Sequence, residues 1–208
     1  MVRSHLAFVT AFLFVAGGCA SAKKTTPELS KLEGKKIALV EIQGENTPKS
    51  IVEVALINQL VKRGTFILIS KQDVQAARND SSIAATDWKG IARKAGAEFA
   101  LKAKVLKFDA DTREGYSKQE VYDSVIEEEQ GGDGKVQRLY KEKSLTGHVQ
   151  VELEFSDLSQ DDTRVAIAEE EQVVKAEGKT GGIHLPPKLR FMETITNEAF
   201  RKFFEKFS

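Results

Sequence analysis

The chain has 208 residues, with 31 lysines and arginines set against 31 aspartates and glutamates. That balance leaves no net field to attract nucleic acid or an anionic lipid surface, so charge points to neither as a partner. Cys19 is the single cysteine, which excludes a disulfide within the chain.

The N-terminus reads MVRSH, then Leu6 to Ala16 (LAFVTAFLFVA), then Gly17 and Gly18. Basic, apolar and small segments in that order are the layout of a secretory signal peptide. The apolar run is shorter than the roughly 20 residues a permanent span requires. Ala16-Gly17-Gly18-Cys19 resembles the lipobox of bacterial lipoproteins, with Ala16 where leucine is more usual. That resemblance implies lipid attachment at Cys19, which cleavage would leave as the first residue. Each buried methylene contributes about 0.8 kcal/mol, so two or more acyl chains anchor a domain stably on a bilayer. Ala20, standing where aspartate would retain such a protein at the inner membrane, implies an outer-membrane anchor facing the periplasm. Removal of Arg3 with the signal leaves 30 basic against 31 acidic groups, so the charge balance is unchanged in kind.

Residues 20 to 34 (ASAKKTTPELSKLEG) are polar, lack periodicity and read as a tether with a reach of roughly 20 Å as a flexible coil. The expected organisation is a lipoprotein signal peptide over 1–18, a lipidated cysteine and tether over 19–34, and a single periplasmic domain over 35–208.

That domain opens with Ile37 to Ile42 (IALVEI), a run of strand length expected to be buried on both faces. Thr47-Pro48 reads as a helix start, with threonine as cap and proline in the first helical position. Val52, Leu56 and Leu60, with Ile57 and Val61 beside them, supply an apolar stripe, and Lys62-Arg63-Gly64 supplies the stop. Phe66 to Ile69 is a second short strand, which completes a βαβ unit. A helical region follows over about Lys71 to Ala95, broken at Asn79-Asp80-Ser81-Ser82. Ala97 to Phe108 reads as a third strand with Phe99, Leu101, Ala103 and Val105 on one face.

From there the pattern changes. His148 to Phe155 alternates, with Val149, Val151, Leu153 and Phe155 inward and His148, Gln150, Glu152 and Glu154 outward, as for an antiparallel strand at the edge of the sheet. Asp157 to Asp162 is a turn, and Arg164 to Glu177 a returning strand. A helix over about Pro187 to Phe207 carries Leu189, Met192, Ile195, Ala199, Phe200, Phe203 and Phe207 as its core stripe. The fold class expected is α/β: a mixed sheet with a βαβ start, an antiparallel second half with a long hairpin, and a C-terminal helix packed on the sheet.

KKIALVEI, the helix to Arg63-Gly64, FILISKQDVQAA, GIARKAGAEFALKAKVLKFDA and the closing LRFMETITNEAFRKFF together resemble the curli assembly lipoprotein family (CsgG-like). The related periplasmic activators of penicillin-binding proteins have a similar layout. The resemblance covers most of residues 35–208 and implies an outer-membrane lipoprotein with a mixed α/β periplasmic domain and no enzymatic activity. Pore-forming members carry extra hairpins that insert as amphipathic membrane strands. The corresponding stretch here, Asp109 to Gly147, is charged on both alternation phases, whereas a lipid-facing strand needs every second residue apolar for roughly ten residues. It reads as a long solvated hairpin turning at Gly131-Gly132-Asp133-Gly134.

Chemical motifs are weak. Gly178-Lys179-Thr180 resembles the end of a phosphate-binding loop, but Val173 stands where its first glycine belongs and Pro186-Pro187 intervene before the next helix. Asp109-Ala110-Asp111 starts like a calcium loop and fails at Arg113 and Glu114. Glu127-Glu128-Glu129 and Glu169-Glu170-Glu171 read as solvated charge runs. His148 and His184 lack neighbours at metal spacing, and Ser144 near His148 is too ordinary to mark a nucleophile. No catalytic, metal or cofactor residue is therefore assigned, and no cofactor is expected. The expected function is a non-catalytic accessory or assembly factor, curli-assembly-like, that binds an envelope protein. The alternative is an oligomeric secretion-pore subunit of the outer membrane, and self-association of the chain is compatible with both. An enzyme with an unrecognised site is the third class.

Overall fold

The computed structural model describes residues 32–63, 66–122, 134–178 and 183–206. Strand β1 (Lys36–Gln43) lies next to β2 (Ile67–Leu68) on one side and β3 (Phe99–Tyr122) on the other, parallel to both. β4 (Lys135–Asp157) and β5 (Asp162–Gly178) then continue the sheet antiparallel, in the order β2-β1-β3-β4-β5. Helix α1 (Asn46–Arg63) links β1 to β2, and α2 (Lys71–Arg78) with α3 (Trp88–Lys94) leads back past β1 to β3. Two parallel crossovers that travel in opposite directions along a sheet put their helices on opposite faces when both have the same hand. The two cores follow from this. Helix α4 (Lys188–Glu205) joins α1 over one face, and α2 and α3 cover the other. The α/β class, the mixed sheet and the packed C-terminal helix are all as the sequence led us to expect.

β1 is buried on both faces and carries a bulge partway along. Ile37 and Leu39 face the α1 side, while Ala38 and Val40 face the α2 side. The pairing with β3 slips between Leu39 and Glu41, so Val40 is an extra residue and Ile42 returns to the α1 side. β3 has the same device. Its register with β4 slips between Val105 and Lys107, which leaves Leu106 outside the ladder and lets Phe108 and Ala110 rejoin the face of Leu101 and Ala103.

Several expectations need correction. α1 starts at Asn46, where Glu45 O accepts from Lys49 N at 2.9 Å, so Thr47 is inside the helix and not its cap. Pro48 is tolerated because first-turn N–H groups have no intrahelical partner. The buried stripe is Val52, Ala55, Leu56, Gln59 and Leu60, while Val61 is 62% exposed. The break after α2 is wider than four residues. Ser70 Oγ accepts from Asp73 N at 3.1 Å to start α2, and Asp87 accepts from Gly90 N at 2.8 Å to start α3. β4 is an interior strand, and β5 is the edge. The outward row of β4 is accordingly half-buried between its neighbours' side chains.

α4 carries the largest share of the core. Phe191, Met192, Ile195, Thr196, Ala199, Phe200, Phe203 and Phe204 are buried, and Thr196 Oγ1 donates to Met192 O at 2.6 Å. Leu189, expected in the stripe, is 51% exposed, because it lies in the first turn of α4, ahead of the buried positions that begin at Phe191. Phe207 lies outside the described residues. Phe155 and Phe203 stack with centroids 6.4 Å apart, and Phe204 meets Phe203 edge-on at 5.2 Å. Leu32, within the stretch read as tether, is 2% exposed in the same core, so packing begins just ahead of Lys35.

Candidate functional site

β3 and β4 do not stop where the core stops. They remain paired residue by residue from Phe99↔Asp157 to Tyr122↔Lys135. β5 keeps them company only as far as Lys141↔Gly178. Beyond that point Ser117–Tyr122 and Lys135–Tyr140 form a two-stranded ribbon that extends about 20 Å past the three-stranded sheet. The hairpin expected over 109–147 is therefore the continuation of two core strands. Its expected turn is outside the described residues except for Gly134.

Alternation sorts the ribbon into two faces. Leu145, Gly147 and Val149 of β4 lie under α4, and Lys143, Lys141, Leu139, Gln137 and Lys135 continue that row outward. Their partners on β3 are Glu114, Tyr116, Lys118, Glu120 and Tyr122. This face is open, with Tyr116 73%, Leu139 65% and Tyr122 63% exposed. On the opposite face Ser117, Gln119, Val121, Val136 and Tyr140 are half-buried, and Gln119 Nε2 donates to Glu177 of β5.

Cross-strand charge pairs hold the ribbon in register. Glu114 accepts from Lys143 and lies 3.3 Å from Lys141, and Lys135 lies 3.2 Å from Glu120. Hydrogen bonds from Lys143 and then Lys141 hold the Glu114 carboxyl below its ordinary range. On the other face Lys175 of β5 lies 3.4 Å from Glu142. At the outer end Gly134 has φ +69 and the Tyr122 ring rests on it, 2.6 Å from where a Cβ would stand. Only glycine meets both demands there.

The other positions singled out from the sequence do not converge. Cys19 and Glu127-Glu128-Glu129 lie outside the described residues. His148 Nε2 meets Glu169 Oε1 at 2.8 Å on the sheet's outer face. Ser144 is four strand residues away, about 13 Å, too far for a nucleophile–base pair. His184 is exposed in the connection before α4. Asp109 and Asp111 are in the middle of β3, so no calcium loop is built there. Gly178 ends β5, and Lys179 and Thr180 are not described. Among the described residues no group of three His, Cys, Asp or Glu side chains could hold a metal, and no helix is long and apolar enough to cross a membrane.

One further concavity, of about 190 Å³, opens beside β1 where β2 has ended, between α1 and α2. Arg78 fills part of it, with Nη2 donating to the bulged Val40 carbonyl at 2.6 Å, while Lys71 meets Glu53 at 2.6 Å across the mouth. This arginine closes a sheet edge that would otherwise present a free carbonyl.

No protein-family model matches the sequence, and no curated protein aligns with it. Among solved structures, the chain is similar to the C-terminal domain of LpoB from Salmonella enterica at 13% identity, covering 71% of this chain and 93% of that one, with a TM-score of 0.37. It is similar to lipoprotein GNA1162 from Neisseria meningitidis at 7% identity, covering 83% and 99%, with a TM-score of 0.39. It is also similar to the PelC dodecamer from Paraburkholderia phytofirmans at 13% identity, covering 80% and 86%, with a TM-score of 0.35. With TM-scores below 0.5, these likenesses assign neither a family nor an activity to the chain.

Proposed function

We propose that this chain is an envelope lipoprotein, anchored in the outer membrane through Cys19 and facing the periplasm. Its role is that of a non-catalytic accessory or assembly factor, curli-assembly-like, which binds a partner protein through the ribbon. The observation that carries this reading is the ribbon itself. Two core strands run on past the sheet, pinned by cross-strand pairs, with one face left open. The open face buries nothing of its own domain and contributes little to stability, so the length of these strands needs another use.

The pore alternative is disfavoured by the same alternation. One face carries Glu114, Lys118, Glu120, Lys135, Lys141 and Lys143, and the other carries Arg113, Gln119, Arg138 and Glu142. Lysine or arginine at mid-bilayer would cost about 2 to 4 kcal/mol each, and neither face offers a compensating apolar row.

The direct test shortens the ribbon in the full-length chain by joining Tyr116 to Lys141 through an Asn-Gly turn. Envelopes are cross-linked and the protein is recovered. A partner recovered with the native chain and lost with the shortened one, at unchanged cooperative unfolding, is the expected result. Equal recovery with both chains would remove the ribbon from the reading.

A further inference from the structure

We propose that the open face of the ribbon, bearing Tyr116, Leu139 and Tyr122, is the binding face, and that it receives an acidic protein surface with recesses for the two tyrosine rings. This inference rests on the reading of the ribbon as the docking element and adds which face docks and to what chemistry.

The first argument is asymmetry. Every described ribbon residue on this face is exposed, from Glu114 to Tyr122 and from Lys135 to Lys141, whereas most of the opposite face is half-buried. Three large side chains that are 63% to 73% exposed stand on the same face of one element. Tyr116 pairs with Lys141 and Lys118 with Leu139, so Tyr116 and Leu139 are diagonal neighbours within side-chain reach. Tyrosine brings large contact area and a polar tip at the expense of only two side-chain torsions, and tyrosine is enriched where proteins meet. The Tyr122 ring is already fixed against Gly134, so little of its freedom remains to be lost on docking.

The second argument is charge. The row holds Lys118, Lys135, Lys141 and Lys143 against Glu114 and Glu120, a two-to-one excess of cations in a chain that is otherwise balanced. Lys141 and Lys143 share Glu114, and Lys135 is set against Glu120. Lys118, between Tyr116 and Glu120 in the same row, has no ion pair among the described residues and pairs across the ladder with the uncharged Leu139. A partner carboxylate placed there would complete the cross-strand pattern. The two glutamates in the same row argue against a phospholipid surface, where they would be pressed onto phosphates of like charge.

The test places p-benzoylphenylalanine at Tyr116 or Leu139 on the open face, and at Val121 or Val136 on the other, in the full-length protein in living cells. Irradiation is expected to join one protein to positions 116 and 139 at about fivefold higher yield than to 121 and 136, through a peptide rich in aspartate or glutamate. Lys118→Glu should lower that yield about fivefold, and Lys118→Arg should keep it within about twofold. Comparable adducts from both faces, adducts to phospholipid, a basic or neutral cross-linked peptide, or indifference to Lys118→Glu would each overturn the inference. Adducts from Val121 and Val136 alone would overturn the face assignment while leaving ribbon docking in place. No adduct from any of the four would overturn both.

Discussion

The Lys202 ammonium of α4 lies 2.8 Å from both carboxylate oxygens of Glu170 in β5. The flanking Glu169 and Glu171 side chains point to solvent, but Glu170 is turned under the helix with its side chain only 10% exposed. The lysine is 45% exposed and keeps much of its hydration. The pair is therefore unequal. Lys202→Ala strands a carboxylate away from water and should cost about 2 kcal/mol, whereas Glu170→Gln leaves a solvated ammonium and should cost about 1 kcal/mol or less. Urea unfolding of the two variants checks the order.

Gly147 of β4 lies directly against α4. A Cβ there would lie 2.7 Å from Ile195 Cδ1, 2.8 Å from Phe191 Cε1 and 3.2 Å from Met192 Sδ. Gly147→Ala should destabilise by about 1 to 3 kcal/mol through overpacking. Ile195→Val in the same chain should return part of that loss, since it removes the atom in closest contact. A double-mutant cycle in denaturant measures the coupling.

Several exposed or half-buried carboxyls are held below their ordinary range: Asp80 chiefly by the Ser82 hydroxyl, Glu114 by Lys143, Asp157 by the Ser159 hydroxyl, Asp161 by Lys89 and Glu198 by Arg201. Each folded value lies below its unfolded one, so the stability they add is complete above an ordinary carboxyl pKa, 4.5 for Glu114, and is lost as pH falls through the folded values. The thermal midpoint should stay level from neutral pH down to about 5 and decline below about 4. Solvent screening keeps each share small, and raising the salt should flatten the decline. A midpoint that rises on acidification would contradict these ion pairs.

The anchor rests on sequence alone. Cys19→Ser should release the protein from membranes or leave an uncleaved precursor, because the proposed anchor binds through the acyl chains that this thiol would carry. Mass spectrometry of the mature protein should find Cys19 as its lipid-modified N-terminal residue. An unmodified thiol at Cys19 would reject the anchor.

The core strands and helices were legible because apolar residues recur with the period of the element that buries them. Val149 to Phe155 and the α4 phenylalanines follow that rule, and Ile37 to Ile42 is the continuous apolar run of a strand covered on both faces. The bulges at Val40 and Leu106 carry no such mark, since one extra residue leaves the composition of the run unchanged. The interior position of β4 was missed because its outward row is polar, and a polar row flanked by polar rows resembles one facing water. The ribbon was seen as a hairpin but not as an extension of β3 and β4. Pairing outside a core is held by backbone bonds and cross-strand charges, which have no apolar period. Its open face is written in the sequence as Tyr116, Lys118, Glu120 and Tyr122 at spacing two, a mixed aromatic and charged row with no apolar period to mark it.

Whether that ribbon ever meets lipid separates a docking element from a pore strand. A lipid-soluble photolabel, applied to intact cells and read peptide by peptide, decides it. The expected result is no labelling of Tyr116 to Tyr140, with label confined to the acylated N-terminus. Labelling throughout Tyr116 to Tyr140 would contradict the solvated ribbon and make the chain a membrane-inserting subunit.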